Sequence, residues 1–191
     1  MFNTTRTSVD STIVFPSVQT NVYLLTLAGS GSYYTGGPVS GTTTIYDPSL
    51  GFTTGGGTVT NPNTGVKASF GFVAKYLKSG QTQGNVVYIE HRASGDVMLK
   101  SNSMGSMTLV NTGSKPYIAY IQGKATYQGA GNYSFLVTAV DNGEPGINSD
   151  RFGLQVKDPS GAIVSDLTFP TSGPSTGAPT ISGGNISVPH S

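Results

Sequence analysis

The residues best placed by type and spacing to do chemistry are Asp141, Asn142, Glu144, Asn148 and Asp150, five oxygen-bearing side chains within ten positions. Calcium takes about six to eight hard oxygen ligands, backbone carbonyls included, and an acidic loop of this kind can cage it. The spacing departs from the Asp-x-Asp-x-Asp-Gly calcium loop. The same segment also reads as a hairpin loop in which Asn142-Gly143 and Pro145-Gly146 set turns and the acids are solvated. Both readings stand. Calcium is the only cofactor the sequence suggests.

Catalytic patterns are sparse, and no catalytic residue is assigned. The two histidines, His91 and His190, fall at a strand end and at the terminus. No Gly-x-Ser-x-Gly elbow surrounds a serine, and Ser103-Met104-Gly105-Ser106 is not one. Gly55-Gly56-Gly57 is followed by neither Lys-Ser nor Lys-Thr, so it reads as a bend or bulge and not as a phosphate loop. The chain has no cysteine, which removes thiol catalysis and cysteine-held metal sites. An enzyme is therefore not expected. Tyr33-Tyr34, between Gly-Ser and Thr-Gly-Gly-Pro, sit in a loop with little charge nearby. Paired loop aromatics are a contact surface for sugars or proteins, or they tuck against a sheet edge.

These groups must be carried by strands. Helical periodicity is nearly absent, while period-two alternation recurs. In Asn132–Asp141, Tyr133, Phe135, Val137 and Ala139 share one face and Leu136 and Val140 the other, as in a strand buried on both sides. In Asp150–Asp158, Phe152, Leu154 and Val156 alternate with Arg151, Gln155 and Lys157, a half-exposed strand. Other strands are expected near 11–15, 21–27, 41–46, 66–75, 85–91, 96–100, 106–110, 115–127, 162–167 and 184–188. Asp158-Pro159-Ser160-Gly161 predicts a tight hairpin turn, with Pro presetting φ and Asp bonding the backbone ahead of it. The expected fold is all-β: an antiparallel β-sandwich of about ten to twelve short strands with Greek-key or jelly-roll-like connections.

Composition narrows the setting. Charged residues are 10% of the chain, against about 25% in a typical domain, so Ser, Thr, Asn, Gln and Gly must keep the surface polar. The net charge is +1 with no basic run, which gives nucleic acid no electrostatic footing. No apolar run approaches the ~20 residues of a membrane-spanning helix. A boundary is expected near Asp47-Pro48-Ser49. It leaves residues 1–46 as an N-terminal extension or partial Ig-like repeat, and 47–191 as the β-sandwich domain. The first 46 residues are too few to bury a core alone, so they must pack on the main domain or donate a strand to a neighbour.

Several segments, in order, resemble a known module. Ile45-Tyr46-Asp47-Pro48-Ser49-Leu50-Gly51-Phe52-Thr53-Thr54-Gly55-Gly56-Gly57 is similar to its junction with a preceding repeat. Lys67–Tyr76 resembles its first core strand, and Gly123–Gly129 with Gly131-Asn132-Tyr133 its central hairpin. Thr138–Gly146 with Asp150-Arg151-Phe152, and Gly183-Gly184-Asn185-Ile186 with His190, resemble its acidic loop and closing strand. The module is the C-terminal β-sandwich of secreted multi-domain bacterial surface proteins, where it follows Ig-like repeats of the polycystic-kidney-disease type. One departure is Thr58, where the family pattern carries an aromatic. The resemblance implies an exported, extracellular or cell-surface setting and no catalytic activity. The expected function is that of a structural or adhesive module of a surface assembly, associating through strand pairing with copies of itself or with neighbouring modules. A carbohydrate- or protein-binding module of a surface protein, and a viral capsid or decoration protein, are the alternatives.

Overall fold

The structure is a computed structural model describing residues 21–31, 34–45, 51–110, 113–167 and 177–189, with the backbone alone described for the first two of these segments. The described residues form eleven strands and no helix. β1 (Asn21–Gly31) and β2 (Tyr34–Ile45) pair antiparallel as a sheet of their own. The others are β3 (Phe52–Thr60), β4 (Lys67–Tyr76), β5 (Thr82–Glu90), β6 (Val97–Val110), β7 (Tyr117–Tyr127), β8 (Ala130–Asp141), β9 (Arg151–Lys157), β10 (Ile163–Asp166) and β11 (Ile181–Ser187). They make one nine-stranded antiparallel sheet, ordered β10-β9-β8-β7-β6-β5-β4-β3-β11.

The all-β antiparallel class expected from the sequence is therefore what the chain adopts. Strands β3 to β10 run as a sequential meander, and β11 returns over a long connection to lie beside β3, the Greek-key move on a larger scale. The sheet curls strongly, as a half-barrel. Phe152 of β9 stacks on Phe70 of β4 at 3.9 Å between ring centroids, although four strands separate them in the sheet. The segment leading into β11 reaches the other end of the sheet. Phe152 N–H donates to Pro179 O, Ile181 N–H donates to Asp150 O, and Arg151 bridges Thr180. The concave side is filled by Tyr88, Leu99, Met107, Ile121, Phe152 and Leu154, all fully buried.

Local chemistry explains the elements. In β4, Ala68, Phe70, Phe72 and Ala74 are buried and alternate with Ser69, Gly71, Val73 and Lys75, which are partly or fully exposed. In β9 the expected alternation holds, with Lys157 exposed and Phe152, Leu154 and Val156 buried. In the β9–β10 turn, Asp158 Oδ1 accepts from Ser160 N–H (2.8 Å), Ser160 Oγ (2.6 Å) and Ala162 N–H (3.0 Å), while Gly161 takes φ +91°. Two stretches differ from expectation. The segments expected at 96–100 and 106–110 are one strand, β6, whose register against β7 shifts between Ser101/Ser103 and between Met104/Ser106. Gly55-Gly56-Gly57 is not a bend but the middle of β3, paired on both sides. The strand expected at Ser11–Phe15 lies outside the described residues.

Candidate functional site

Two clusters of polar side chains are built into the sheet, one at each end of the interior. The first is the acidic loop. It joins β8 to β9, and its side chains reach across to β11 and to the residues before β7. Asp150 is fully buried and accepts two backbone N–H bonds, from Asn142 to Oδ1 (2.9 Å) and from Ile186 to Oδ2 (2.8 Å). Asp141 is buried and accepts from Lys115 Nζ (2.9 Å) on Oδ1 and from Val188 N–H (3.2 Å) on Oδ2. Asn185 closes the ring: its Oδ1 accepts from Gly146 N–H (2.9 Å) and its Nδ2 donates to Glu144 Oε1 (2.9 Å). A β-carbon on Gly146 would stand 2.1 Å from Asp150 Oδ2 and 2.3 Å from Asn185 Oδ1, so only glycine lets the loop close here.

The five residues the sequence singled out thus have distinct places. Asp141, Asn142, Glu144 and Asp150 are drawn into one clasp, where Asn142 Nδ2 also donates to Ser149 O (2.6 Å). Asn148 is exposed with φ +60° and joins through its backbone, its N–H donating to Ile181 O (3.0 Å). Both buried carboxylates spend both oxygens on backbone N–H groups and an ammonium, the partners that a cation would have to displace. Among the described residues no three His, Cys, Asp or Glu side chains are grouped to hold a metal. What the arrangement does chemically is fasten β11: its Ile186 N–H, and Val188 just beyond it, are held by carboxylates from the opposite end of the sheet. Lys115 was not singled out in the sequence, Gly146 was read there only as a turn former and Asn185 only as part of the closing strand, and only the fold brings Lys115 and Asn185 to the acids.

Burial holds the Asp150 carboxyl above the usual carboxylate range; the Asn142 and Ile186 N–H groups pull it down, and the nearby Asp141 and Glu144 charges add to the upward shift. A carboxyl that binds its proton more tightly folded than unfolded loses stabilisation as pH rises through the folded value. Asp150→Asn offers an NH2 group where an acceptor is needed and is expected to cost about 1–3 kcal/mol. Because the variant cannot titrate there, the gap to the parent protein should narrow as pH rises. Urea unfolding at a series of pH values measures it; a gap that widens with pH contradicts the assignment.

The second cluster surrounds Glu90, the last residue of β5 and fully buried. Oε2 accepts from Asn61 Nδ2 and from the Tyr88 hydroxyl (both 2.9 Å), and Oε1 accepts from Thr64 Oγ1 (2.9 Å) and Arg92 Nε (2.8 Å). Burial pushes Glu90 up, but the four donors together outweigh it and hold the carboxyl below its usual range. Burial and then the Glu90 carboxylate push the Tyr88 phenol far up, so it stays a donor. His91 is half exposed, its Nδ1 3.2 Å from Asp96 Oδ1 and its Nε2 3.2 Å from Ser69 Oγ. Neither cluster presents a nucleophile next to a free base.

The remaining expectations are quickly placed. Tyr33 and His190 lie outside the described residues, and Tyr34 is described only as the first position of β2. No described helix is long and apolar enough to cross a membrane. On the sheet's surface, beside the two bulges of β6, lies a shallow cleft of ≈ 300 Å³ lined by Ser103, Ser106, Gln122, Lys124 and Ser134 together with Gly105, Gly123 and Phe135. No family model, curated protein or solved structure matched the chain.

Proposed function

We propose that this chain is a structural, self-associating module of an extracellular or cell-surface assembly. The observation that carries the reading is the β1–β2 hairpin, two strands of eleven and twelve residues that form a ladder with each other and with no described strand of the main sheet. A lone two-stranded ribbon is marginal in water and needs a further layer or strand to be stable. The main sheet supports the same reading from the other side: its buried carboxylates are spent on backbone and side-chain donors, which suits a load-bearing scaffold. The low charge and the resemblance to modules of secreted bacterial surface proteins are what favour an assembly outside the cell. Sedimentation velocity over a wide concentration range tests it, with negative-stain microscopy of the heaviest species. Concentration-dependent association is expected, and a strict monomer throughout would overturn the reading.

One observation favours a binding module instead. The cleft beside the β6 bulges sets three hydroxyls, an amide and an ammonium around a mostly apolar floor that includes Phe135, a mixed lining that a glycan with its polar edges and apolar ring face could use. Glycan-array binding that is lost on Lys124→Ala would move the assignment there, and binding lost on Tyr34→Ala would move it to the Tyr33-Tyr34 pair.

A further inference from the structure

Apart from both buried clusters, the outer face of the sheet carries three polar side chains in a line. β4 and β5 pair with Ser69 opposite Ile89; the chain then turns at His91 and re-enters the sheet as β6 just after Asp96. His91 Nδ1 lies 3.2 Å from Asp96 Oδ1, and His91 Nε2 lies 3.2 Å from Ser69 Oγ. A carboxylate only accepts, so in the neutral ring Nδ1 carries the proton and points it at Asp96. Nε2 then presents a lone pair, and the Ser69 hydroxyl donates into it. A hydroxyl, a base within hydrogen-bond reach of it and a third group orienting that base are the signature of an activated nucleophile. Ser69 and His91 are 22 residues apart on neighbouring strands, so no local motif announces them.

The surroundings decide what such a line can act on. The His91 and Asp96 side chains are 49% and 52% exposed, and Ser69 is half-buried within β4. The row of Ser69 continues through half-buried Ile89 to Met98, which is 45% exposed, and these two offer an apolar rest beside the serine. On its other side Thr58 of β3 stands opposite Ser69, with Thr58 Oγ1 3.1 Å from Ser182 Oγ. Exposed Lys67 lies two residues before Ser69 on the same face. Ser69 is paired on both sides, so its main-chain N–H belongs to the ladder. Charge on a tetrahedral intermediate therefore falls to the Thr58 hydroxyl and the Lys67 ammonium. An open site with side-chain donors alone suits substrates whose leaving group needs little help.

We propose that Ser69, His91 and Asp96 form an acyl-transfer site that hydrolyses activated esters of short aliphatic acids, an activity independent of the assembly role above. Ser69 Oγ bonds to the acyl carbon as its proton passes to His91 Nε2. The ester C–O bond breaks, and the departing alcohol takes that proton. Water then gives a proton to Nε2 as its oxygen attacks the acyl-serine. The bond from the acyl carbon to Oγ breaks, the proton returns to Oγ, and the carboxylic acid leaves. Asp96 touches neither the substrate nor the nucleophile; it is a positioning residue that keeps the ring proton on Nδ1.

The probes are p-nitrophenyl acetate and p-nitrophenyl butyrate, given to the full-length chain. Release of p-nitrophenolate is expected, and Ser69→Ala and His91→Gln should each slow it about 100-fold or more. His190→Gln, which removes the other of the two histidines, should leave the rate unchanged. A fluorophosphonate on the unaltered chain should label Ser69 by peptide mapping, a result that does not depend on any variant folding. Nitrogen NMR of the neutral His91 ring should show the proton on Nδ1, moving toward Nε2 in Asp96→Asn as the rate falls. Equal rates from the parent and Ser69→Ala, acyl groups found only on lysines, or a parent ring protonated at Nε2 would each overturn the site. None of these results bears on self-association, which sedimentation reads separately.

Discussion

Glu90→Ala is expected to lower the free energy of unfolding by about 3–5 kcal/mol, the range for removing one partner of a buried charged network. The loss has identifiable sources. Asn61 Nδ2 and the Tyr88 hydroxyl both donate to Oε2, and Asn61 and Tyr88 are themselves buried, so water cannot take over as acceptor. Thr64 and Arg92 donate to Oε1 from less buried positions, and their contribution is smaller because solvent replaces part of it. Tyr88→Phe removes a single donor from an otherwise intact network and should cost about 0.5–1.5 kcal/mol. The pH dependence has a definite sign. Glu90 is held below its unfolded value, so its stabilisation is complete above about pH 4.3 and is lost as pH falls through the lower folded value. Glu90→Gln should remove that acid-side slope, as read from chemical unfolding at stepped pH. Retention of the slope would show that another carboxylate produces it. Glu90 and Asp150 thus pull in opposite directions, one weakening toward acid and the other toward base.

How much of this was legible in the sequence follows from which residues interact locally. The Asp158 turn was readable because its donors lie two to four residues ahead of its acceptor. The alternating strands β4, β8 and β9 were readable because each has one face against a continuous apolar interior. Glu90 carried a signal that went unused: Val86, Tyr88 and Glu90 occupy alternate positions, which puts the carboxylate on the buried face and obliges it to find donors. Its donors Asn61 and Thr64 sit in the β3–β4 turn, and no local pattern points from them to β5. The clasp was half legible. The acids announce themselves within ten residues, but Lys115, Asn185, Ile186 and Val188 meet them only because the sheet curls. The two pieces expected around Ser101–Ser106 are one strand because bulges break the period-two pattern without ending the ladder. Strand β3 was hidden for a related reason. Its three glycines have low strand propensity, and two of them, Gly55 and Gly57, stand where an added β-carbon would meet a neighbour at under 3 Å, so they serve close approach and not bending.

That closeness makes Gly57→Val the other large effect expected, again about 3–5 kcal/mol. Gly57 pairs with Gly184 of β11 and Phe70 of β4. A β-carbon there would lie 1.9 Å from the carbonyl oxygen of Gly183, a backbone atom that moves only if β11 moves with it. The partner strand cannot adapt locally, because Gly184 already takes φ +95° and its own β-carbon position lies 2.0 Å from Gly56 O. Lifting β11 withdraws the fully buried Ile181 and Ile186 from the core. It also leaves Asp150 and Asp141 without the Ile186 and Val188 N–H groups they hold. The clasp and the seam therefore fail together, which is why a single methyl-sized clash has so large a consequence. The neighbouring residue is the control. At Gly56 the nearest atom to an added β-carbon is Phe70 O at 3.6 Å, an ordinary contact on the opposite face of the same strand. Gly56→Val should be neutral, or stabilising by a few tenths of a kcal/mol through the unfolded chain. Thermal unfolding of the two variants side by side separates close approach from strand propensity, since both changes alter propensity equally. Equal destabilisation would mean that β11 does not close against β3 as described. Loss at Gly57 alone, with hydrogen exchange raised first along β11, is the result the seam requires.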